Sequence, residues 1–244
     1  MAADILIVKN IDREGPGLLL SMLKEHGITF DVIENPVNCP SPIAYKAMLV
    51  YGGPDSANDD TPKMHSELAR IKEAIEHNIP YLGICLGMQA LVKAAGGKVV
   101  KAGGDEVPKD QKEVGFLGPD GKNYSIELKT AGQVDPIFQD LPDNLTVFQL
   151  HGETVLLKPE GMVTLATGNF CKTQIVRVGS NAYGIQSHFE LTPEMLDVWA
   201  KEDPDLQPVG QEILRQQFTQ ILEEYTKTGQ QLFTNFLKIA GLVK

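Results

Sequence analysis

Hydrophobic positions in the first hundred residues follow two alternating patterns. Four short apolar runs predict buried strands, at residues 4–8, 30–34, 47–53 and 79–85. Between them, apolar residues recur at helical spacing: after the Gly15-Pro16-Gly17 turn, after Thr61-Pro62, and from the fourth run to Gly96-Gly97. Strands that alternate with helices of this length predict a three-layer α/β fold, in which helices cover both faces of a mostly parallel sheet.

The pattern changes in the middle of the chain. Residues 123–188 contain short β-like runs separated by Gly, Pro, Asn and Asp, which predict hairpins or edge strands added to the same sheet. The charged segment 101–112 contains two adjacent glycines and a proline. This composition predicts an exposed loop.

Residues 192–244 have a helical pattern. Thr192-Pro193-Glu194 has the form of a capped helix start. Apolar residues at 3.6-residue spacing follow at 209–225, and again at 232–240 beyond an expected break at Gly229. We expect both helices to pack onto the protein's own core, although such a Phe- and Leu-rich face could also support a homodimer. The simplest organisation is one domain, 1–244, with a core to about residue 191 and a helical extension at 192–244.

Composition narrows the classes of partner. Hydrophobic residues make up 42% and charged residues 22% of the chain, as in ordinary soluble domains. A net charge of -10 argues against nucleic acid as a partner. The chain has no secretory signal pattern and no apolar run near the roughly 20 residues that span a bilayer. Three widely spaced cysteines argue against a disulfide framework or a zinc site, so we expect a reduced, cytoplasmic protein.

The run Gly83-Ile84-Cys85-Leu86-Gly87 has the form glycine, any residue, nucleophile, any residue, glycine. Between a strand and a helix, this form predicts a sharp turn that exposes the nucleophile and aims the Leu86 N–H as an oxyanion donor. The helix dipole should then lower the pKa of the Cys85 thiol. By itself the run leaves a second interpretation open, because an inert buried cysteine is common.

A thiol nucleophile needs a base and a group that orients the base. His26, His65 and His77 lie on predicted amphipathic helices and should face solvent, whereas His188 follows a β-like run. Glu190 projects to the same side as His188 in an extended segment, so it can hold one ring nitrogen while the other faces Cys85. The alternative for His188 is a core histidine satisfied by a neighbouring carboxylate.

A glycine pair ends the third predicted strand, at Gly52 and Gly53. Its backbone N–H groups are unshielded and could bind a developing oxyanion. In a doubly wound sheet this strand end and the cysteine turn lie on the same edge, where such folds place their sites. Read in isolation, the pair could equally begin an ordinary loop.

Three ordered motifs carry a family resemblance. "GGPDS" at 52–56, "GICLGMQ" at 83–89 and "GIQSHFE" at 184–190 resemble the signature segments of class I, triad-type glutamine amidotransferases. "EVGF" at 113–116 and the segment 149–168 are also similar to that family, and the motifs are like those of the amidotransferase part of GMP synthase. The resemblance covers most of the chain and implies a flavodoxin-like sheet.

The resemblance also assigns roles to residues. It implies a catalytic triad of Cys85, His188 and Glu190, and an oxyanion hole from the backbone of Gly53 and Leu86. It implies that Gln89 and Gly52 hold glutamine, that His151 belongs to the pocket, and that no metal or organic cofactor is required. Phe189 departs from the family pattern, which has proline between the histidine and the glutamate.

The implied reaction is hydrolysis of the glutamine side-chain amide through a cysteine thioester. Its products are glutamate and ammonia, and the ammonia would pass to a partner synthetase, for which we expect no room within 244 residues. One alternative is a γ-glutamyl hydrolase or peptidase that uses the same triad, and another is a non-catalytic regulatory protein on this fold. Because residues 192–244 exceed what a minimal amidotransferase subunit needs, we favour a distinct subfamily over the GMP synthase subunit itself.

Overall fold

A computed structural model describes residues 3–34, 36–102, 112–158 and 160–244 of the chain. Its strands are β1 Ile5–Val8, β2 Phe30–Ile33, β3 Ala47–Val50, β4 Tyr81–Ile84, β5 Lys98–Lys101, β6 Glu113–Gly115, β7 Ser125–Leu128, β8 Asn144–Thr146, β9 Gln149–His151, β10 Glu153–Leu156, β11 Met162–Gly168, β12 Ile175–Val178 and β13 Ala182–Ile185. Its α-helices are α1 Leu18–Glu25, α2 Pro62–Glu76, α3 Leu86–Ala94, α4 Thr130–Gln133, α5 Pro193–Glu202 and α6 Gln211–Ile239. Three short 3-10 helices cover Pro36–Asn38, Pro42–Ala44 and Pro136–Phe138.

A nine-stranded sheet in the order β2-β1-β3-β4-β13-β12-β11-β7-β8 organises these elements. The first five strands of that order are parallel, and the last four pair antiparallel. Helices α1 and α6 pack on one face, and α2 and α3 pack on the other. The predicted three-layer, mostly parallel, flavodoxin-like fold is confirmed, with the parallel strands gathered at one end of a mixed sheet.

The middle segment differs from its prediction at two strands. β13 is a central strand rather than an edge strand, because it is buried on both faces and pairs in parallel with β4. β9 leaves the main sheet and pairs with β6 in a separate two-stranded ribbon. The remaining short strands, β7, β8, β11 and β12, form the antiparallel end of the sheet as expected. The predicted loop at 101–112 falls mostly on residues 103–111, which lie outside the described residues.

The expected helix break at Gly229 is wrong. α6 runs without interruption from Gln211 to Ile239, and Gly229 lies buried within it. The glycine is explained by space, because a Cβ at this position would overlap the carbonyl oxygen of Phe189 and approach Leu18 to 2.9 Å. The residue lets the helix pass close to the end of the sheet rather than ending the helix.

The apolar face of α6 packs into the protein's own core, as favoured from the sequence. Phe218, Tyr225, Phe233 and Phe236 are each at most 2% exposed. These side chains therefore do not form a surface on which a second copy could dock. In the described part of the chain, no helix combines the length and the apolar character needed to cross a bilayer.

Gly229→Ala should destabilise the protein, although alanine normally favours a helix interior by about 1 kcal/mol over glycine. The added methyl must push α6 away from the Phe189 backbone, and overpacking of this kind costs about 1–3 kcal/mol. Urea denaturation gives the free energy of unfolding. The control is Gln230→Ala, at the exposed neighbouring position, which should leave stability nearly unchanged. Equal or higher stability of Gly229→Ala would contradict the close packing.

Candidate active site

A strained turn places Cys85 between β4 and α3. Cys85 has φ 53° and ψ -108°, a backbone conformation that non-glycine residues rarely adopt. A Cβ on Gly83 would overlap the Gly87 backbone, and one on Gly87 would overlap the Val50 carbonyl on the neighbouring strand. Both glycines are therefore required by contact, as the sequence pattern predicted.

His188 and Glu190 form a buried pair at the end of β13, the strand next to β4. His188 Nδ1 lies 2.6 Å from Glu190 Oε1, and the Phe189 N–H donates to Glu190 Oε2 at 2.9 Å. A proline at position 189 could not make that second bond, so the departure from the family pattern supplies a hydrogen bond to Glu190. The other imidazole nitrogen, Nε2, is buried and interacts with the Cys85 thiol without a well-aligned hydrogen bond. The structure thus brings together the three residues predicted to form a triad.

Burial and charge set the protonation of this group. Burial alone would lower the pKa of His188, but the Glu190 carboxylate and hydrogen bonding with Cys85 and Glu190 hold it well above its ordinary value of 6.5. Burial raises the pKa of the Cys85 thiol, and His188 offsets this only in part. The predicted lowering of the thiol pKa is therefore wrong, because loss of solvation outweighs the helix terminus.

The helical extension holds His188 in place from behind. The Tyr225 hydroxyl of α6 donates to the His188 carbonyl at 2.8 Å, and the Trp199 ring of α5 packs edge-on against the imidazole at 5.0 Å. On the other side, the His188 N–H donates to the Phe148 carbonyl at 2.9 Å. Residues 192–244 are therefore part of the site's framework.

A cavity of about 470 Å³ opens beside Cys85. Gly53, Leu86, Gln89 and His151 line it, whereas Gly52 does not. The Gln89 side chain donates to the Glu153 carbonyl at 3.2 Å and to Gln186 Oε1 at 3.4 Å. The predicted oxyanion and substrate residues thus surround the thiol, except that Gly52 packs behind the cavity wall. His26, His65 and His77 are exposed, as predicted.

Residues that the sequence did not single out complete the cavity wall. They are Arg13 and Glu14 from the segment after β1, Lys112 before β6, and Asp203 and Asp205 after α5. Arg13 pairs with Asp203 at 2.6 Å, and Lys112 Nζ lies 2.7 Å from Asp205 Oδ2. Charged residues in turns usually face solvent, so the local sequence carried no signal that these enclose a site.

A second group of cysteine, histidine and glutamate lies beside the cavity. Ligand atoms of Glu113, His151 and Cys171 are within 4.8 Å of one another, and all three residues are buried. These residue types could hold a metal such as zinc. However, burial raises the pKa of Cys171 to about 11, and its protonated thiol already contacts Thr154 and the Thr173 carbonyl. Since His151 Nε2 lies 3.5 Å from Glu113 Oε2, an imidazolium–carboxylate pair accounts for the group without a metal.

Asn10 supports the loop that carries the predicted oxyanion donor. Its amide donates to the Tyr51 carbonyl at 3.2 Å, and its Cβ lies 2.6 Å from where a Gly53 Cβ would be. Glu67 of α2 lies beneath, with both carboxyl oxygens buried and without a hydrogen bond. Burial raises the pKa of Glu67 from 4.5 to about 7.

Glu67→Gln should remove a loss of stability at high pH. A carboxyl whose pKa is raised on folding contributes stability that is fully present below pH 4.5 and lost as pH rises through about 7. Glutamine stays neutral, so the variant should be more stable than wild type at pH 8 by roughly 3 kcal/mol and nearly equal at pH 4.5. Urea unfolding across this range measures the difference, with exposed Glu76→Gln as the control. Parallel stability curves for wild type and Glu67→Gln would contradict the account.

Comparison with known proteins agrees with this geometry. The family model described as "Glutamine amidotransferase class-I" matches residues 16–198. GMP synthase [glutamine-hydrolyzing] from Bacillus velezensis is 31% identical over 189 residues, covering 76% of this chain and 30% of that protein. The enzyme of the same name from Lactobacillus delbrueckii is 29% identical over 191 residues, covering 77% of this chain and 33% of that protein. The chain thus spans about a third of the length of the curated relatives it matches.

Solved structures extend the likeness to the whole chain. A glutamine amido transferase from Methylobacillus flagellatus superposes with a TM-score of 0.80 at 25% identity, covering 98% of this chain and 96% of that one. A glutamine amidotransferase from Thermotoga maritima shares the fold, with a TM-score of 0.81 at 24% identity and 97% coverage of both chains. With the family model matching most of its length, the chain belongs to the class I glutamine amidotransferase family.

Proposed function

We propose that the protein hydrolyses the side-chain amide of glutamine, with Cys85 as nucleophile, His188 as acid and base, and Glu190 as the group that orients His188. The observation that carries this proposal is the buried His188–Glu190 pair facing a cysteine on a strained turn. A cavity large enough for an amino acid opens beside that cysteine. Family membership supports the same assignment.

The reaction follows from these positions. The Cys85 thiolate attacks the amide carbon, and the carbonyl electrons move to oxygen, where the N–H groups of Gly53 and Leu86 stabilise the charge by about 3 kcal/mol each. The His188 imidazolium gives its proton to the amide nitrogen, the C–N bond breaks and ammonia leaves. A water molecule then loses a proton to His188 and attacks the thioester, the C–S bond breaks, and glutamate is released. Each step uses only residues of this chain.

The remaining predicted residues would hold the amino acid. Gln89 and His151 line the cavity within the same wall as Cys85. The His151 Nδ1 atom lies 3.0 Å from the Glu153 carbonyl, which fixes its ring, and Gly52 shapes the wall from behind. A nucleophilic thiol must stay reduced, so we propose a reducing compartment such as the cytoplasm.

We further propose that the chain works as one domain, 1–244, and supplies ammonia to a separate synthetase. The GMP synthase relatives match over 187–193 residues and are about three times as long as the matched part. The Methylobacillus structure instead matches 98% of this chain, so its similarity includes the helical extension. This difference supports a subfamily distinct from GMP synthase.

A γ-glutamyl hydrolase remains a second candidate, for one structural reason. Asp203, Pro204 and Asp205, which follow α5, form part of the cavity wall. Arg13 and Lys112 bind this segment through their ion pairs with Asp203 and Asp205. A wall that closes the cavity in this way suits a free γ-glutamyl compound that is bound and hydrolysed without a partner.

Cys85→Ala should reduce glutamate release from glutamine by at least about a thousandfold, because the covalent route is lost. Release is measured with the purified chain, by coupled glutamate oxidation. Cys171→Ala is the matched control, since it removes another buried cysteine that also lies near a histidine and a glutamate, and it should keep wild-type activity. Activity lost with Cys171 and kept without Cys85 would reverse the assignment. Wild type that leaves both glutamine and γ-glutamyl peptides intact, alone and with candidate partners, would support a regulatory protein.

Affinity capture from native extract should distinguish the two enzymatic candidates. A synthetase that co-purifies and raises glutamine hydrolysis in the presence of ATP is the expected result. The matched bait is Cys85→Ala, which should capture the same partner without turnover. Efficient cleavage of γ-glutamyl peptides, together with no synthetase in either capture, would favour the hydrolase.

A further inference from the structure

Glu14 is a buried carboxyl group at the site for which the mechanism above has no use. It lies between β1 and α1, is 4% exposed, and lines the same cavity as Cys85. Its Oε2 atom is buried and accepts no hydrogen bond from any described residue. Burying a carboxylate without a partner is costly, so a native site that retains one calls for a functional explanation.

Gly52 makes room for this carboxyl group beside the thiol. A Cβ on Gly52 would overlap Glu14 Oε2 and would lie 3.3 Å from the Cβ of Cys85. The carboxyl oxygen and the cysteine side chain therefore approach the same point of the backbone. This contact also explains why position 52 is glycine although it does not line the cavity.

Several charged or titratable groups face Glu14. They are Cys85 on the turn after β4, His188 and Glu190 after β13, Arg13 beside it in sequence, and Asp203 after α5. Arg13 is paired with Asp203 at 2.6 Å, and His188 is paired with Glu190. Two carboxyl groups and one thiol thus share a single imidazole in a site that excludes water.

We propose that Glu14 is a positioning residue that controls the ionisation of Cys85: when its carboxyl is ionised, it opposes formation of the thiolate. The inference rests on the proposed role of Cys85 as nucleophile. Glu14 acts through Cys85 and His188 and need not touch the substrate. A negative charge on Glu14 favours the proton on the thiol and the proton on the imidazole, because a thiolate beside a carboxylate is a like-charge pair in a medium of low dielectric constant.

The direction of the effect follows from burial. Burial raises the pKa of Glu14 from 4.5 to about 7, so its charge changes in the neutral range. The Glu14 charge in turn raises the pKa of Cys85, in addition to the larger effect of burial. Below about pH 7 Glu14 is neutral and does not oppose the thiolate, and above that pH it does.

The test is the pH dependence of Cys85 alkylation in the full chain. Iodoacetamide reacts with the thiolate and not with the thiol, and mass spectrometry resolves each cysteine. In Glu14→Gln the midpoint of Cys85 alkylation should move to lower pH by about one unit. Cys39 and Cys171 in the same sample are internal controls whose profiles should not move. Glu67→Gln is the matched control variant, since Glu67 is equally buried and also has its pKa raised to about 7, yet should leave the Cys85 profile in place.

An unchanged or upward-shifted midpoint in a folded Glu14→Gln protein would overturn the proposal. Circular dichroism establishes that the variant is folded. Glu14→Asp, which withdraws the carboxyl by one methylene, should give a smaller shift in the same direction and carries the test if Glu14→Gln does not fold. Alkylation needs no turnover, so the shift can be observed even if glutamine proves not to be the substrate. Conversely, glutaminase activity without any shift would remove this role from Glu14 and leave the proposed function intact.

Discussion

The turn at Cys85 is the constraint on which the rest of the site depends. Its backbone at φ 53° is held because α3 begins where β4 ends and both pack against β3. Strain of this kind costs on the order of 1–3 kcal/mol and persists only where its surroundings over-determine it. Here the surroundings are buried parallel strands on each side, β3 and β13, which carry Gly53 and His188 to the same edge. The sheet order and the site chemistry are therefore one arrangement.

The helical extension belongs to this arrangement. α6 comes close to the sheet because position 229 lacks a side chain, and that approach lets Tyr225 reach the carbonyl of His188. The stacked rings of Phe189 and Tyr225 fill the space that a proline in the family pattern would leave smaller. Phe189 thus replaces a rigid backbone angle with a buried ring and an N–H donor for Glu190. Local rigidity at this strand end comes from packing with α6.

Buried carboxyl groups differ sharply in how they are satisfied. Glu190 accepts hydrogen bonds at both oxygens, whereas Glu14 and Glu67 have buried oxygens without partners. The first is stable as an anion beside an imidazolium, and the other two are held near the boundary between neutral and charged at neutral pH. Such groups weaken the fold as pH rises, and a cost of this kind is commonly tolerated where it shapes reactivity.

The sequence by itself determined the three-layer fold, the elbow and the identity of Cys85, His188 and Glu190, because hydrophobic period, glycine spacing and a two-residue offset are local properties of the chain. Only the tertiary structure decided which distant residues meet. It placed β13 in the centre of the sheet, continued α6 through Gly229, and brought Glu14 and Asp203 to the cavity wall. It also reversed the expected pKa of Cys85, since solvation depends on everything packed around a group, whereas a helix terminus can be recognised from a few neighbouring residues.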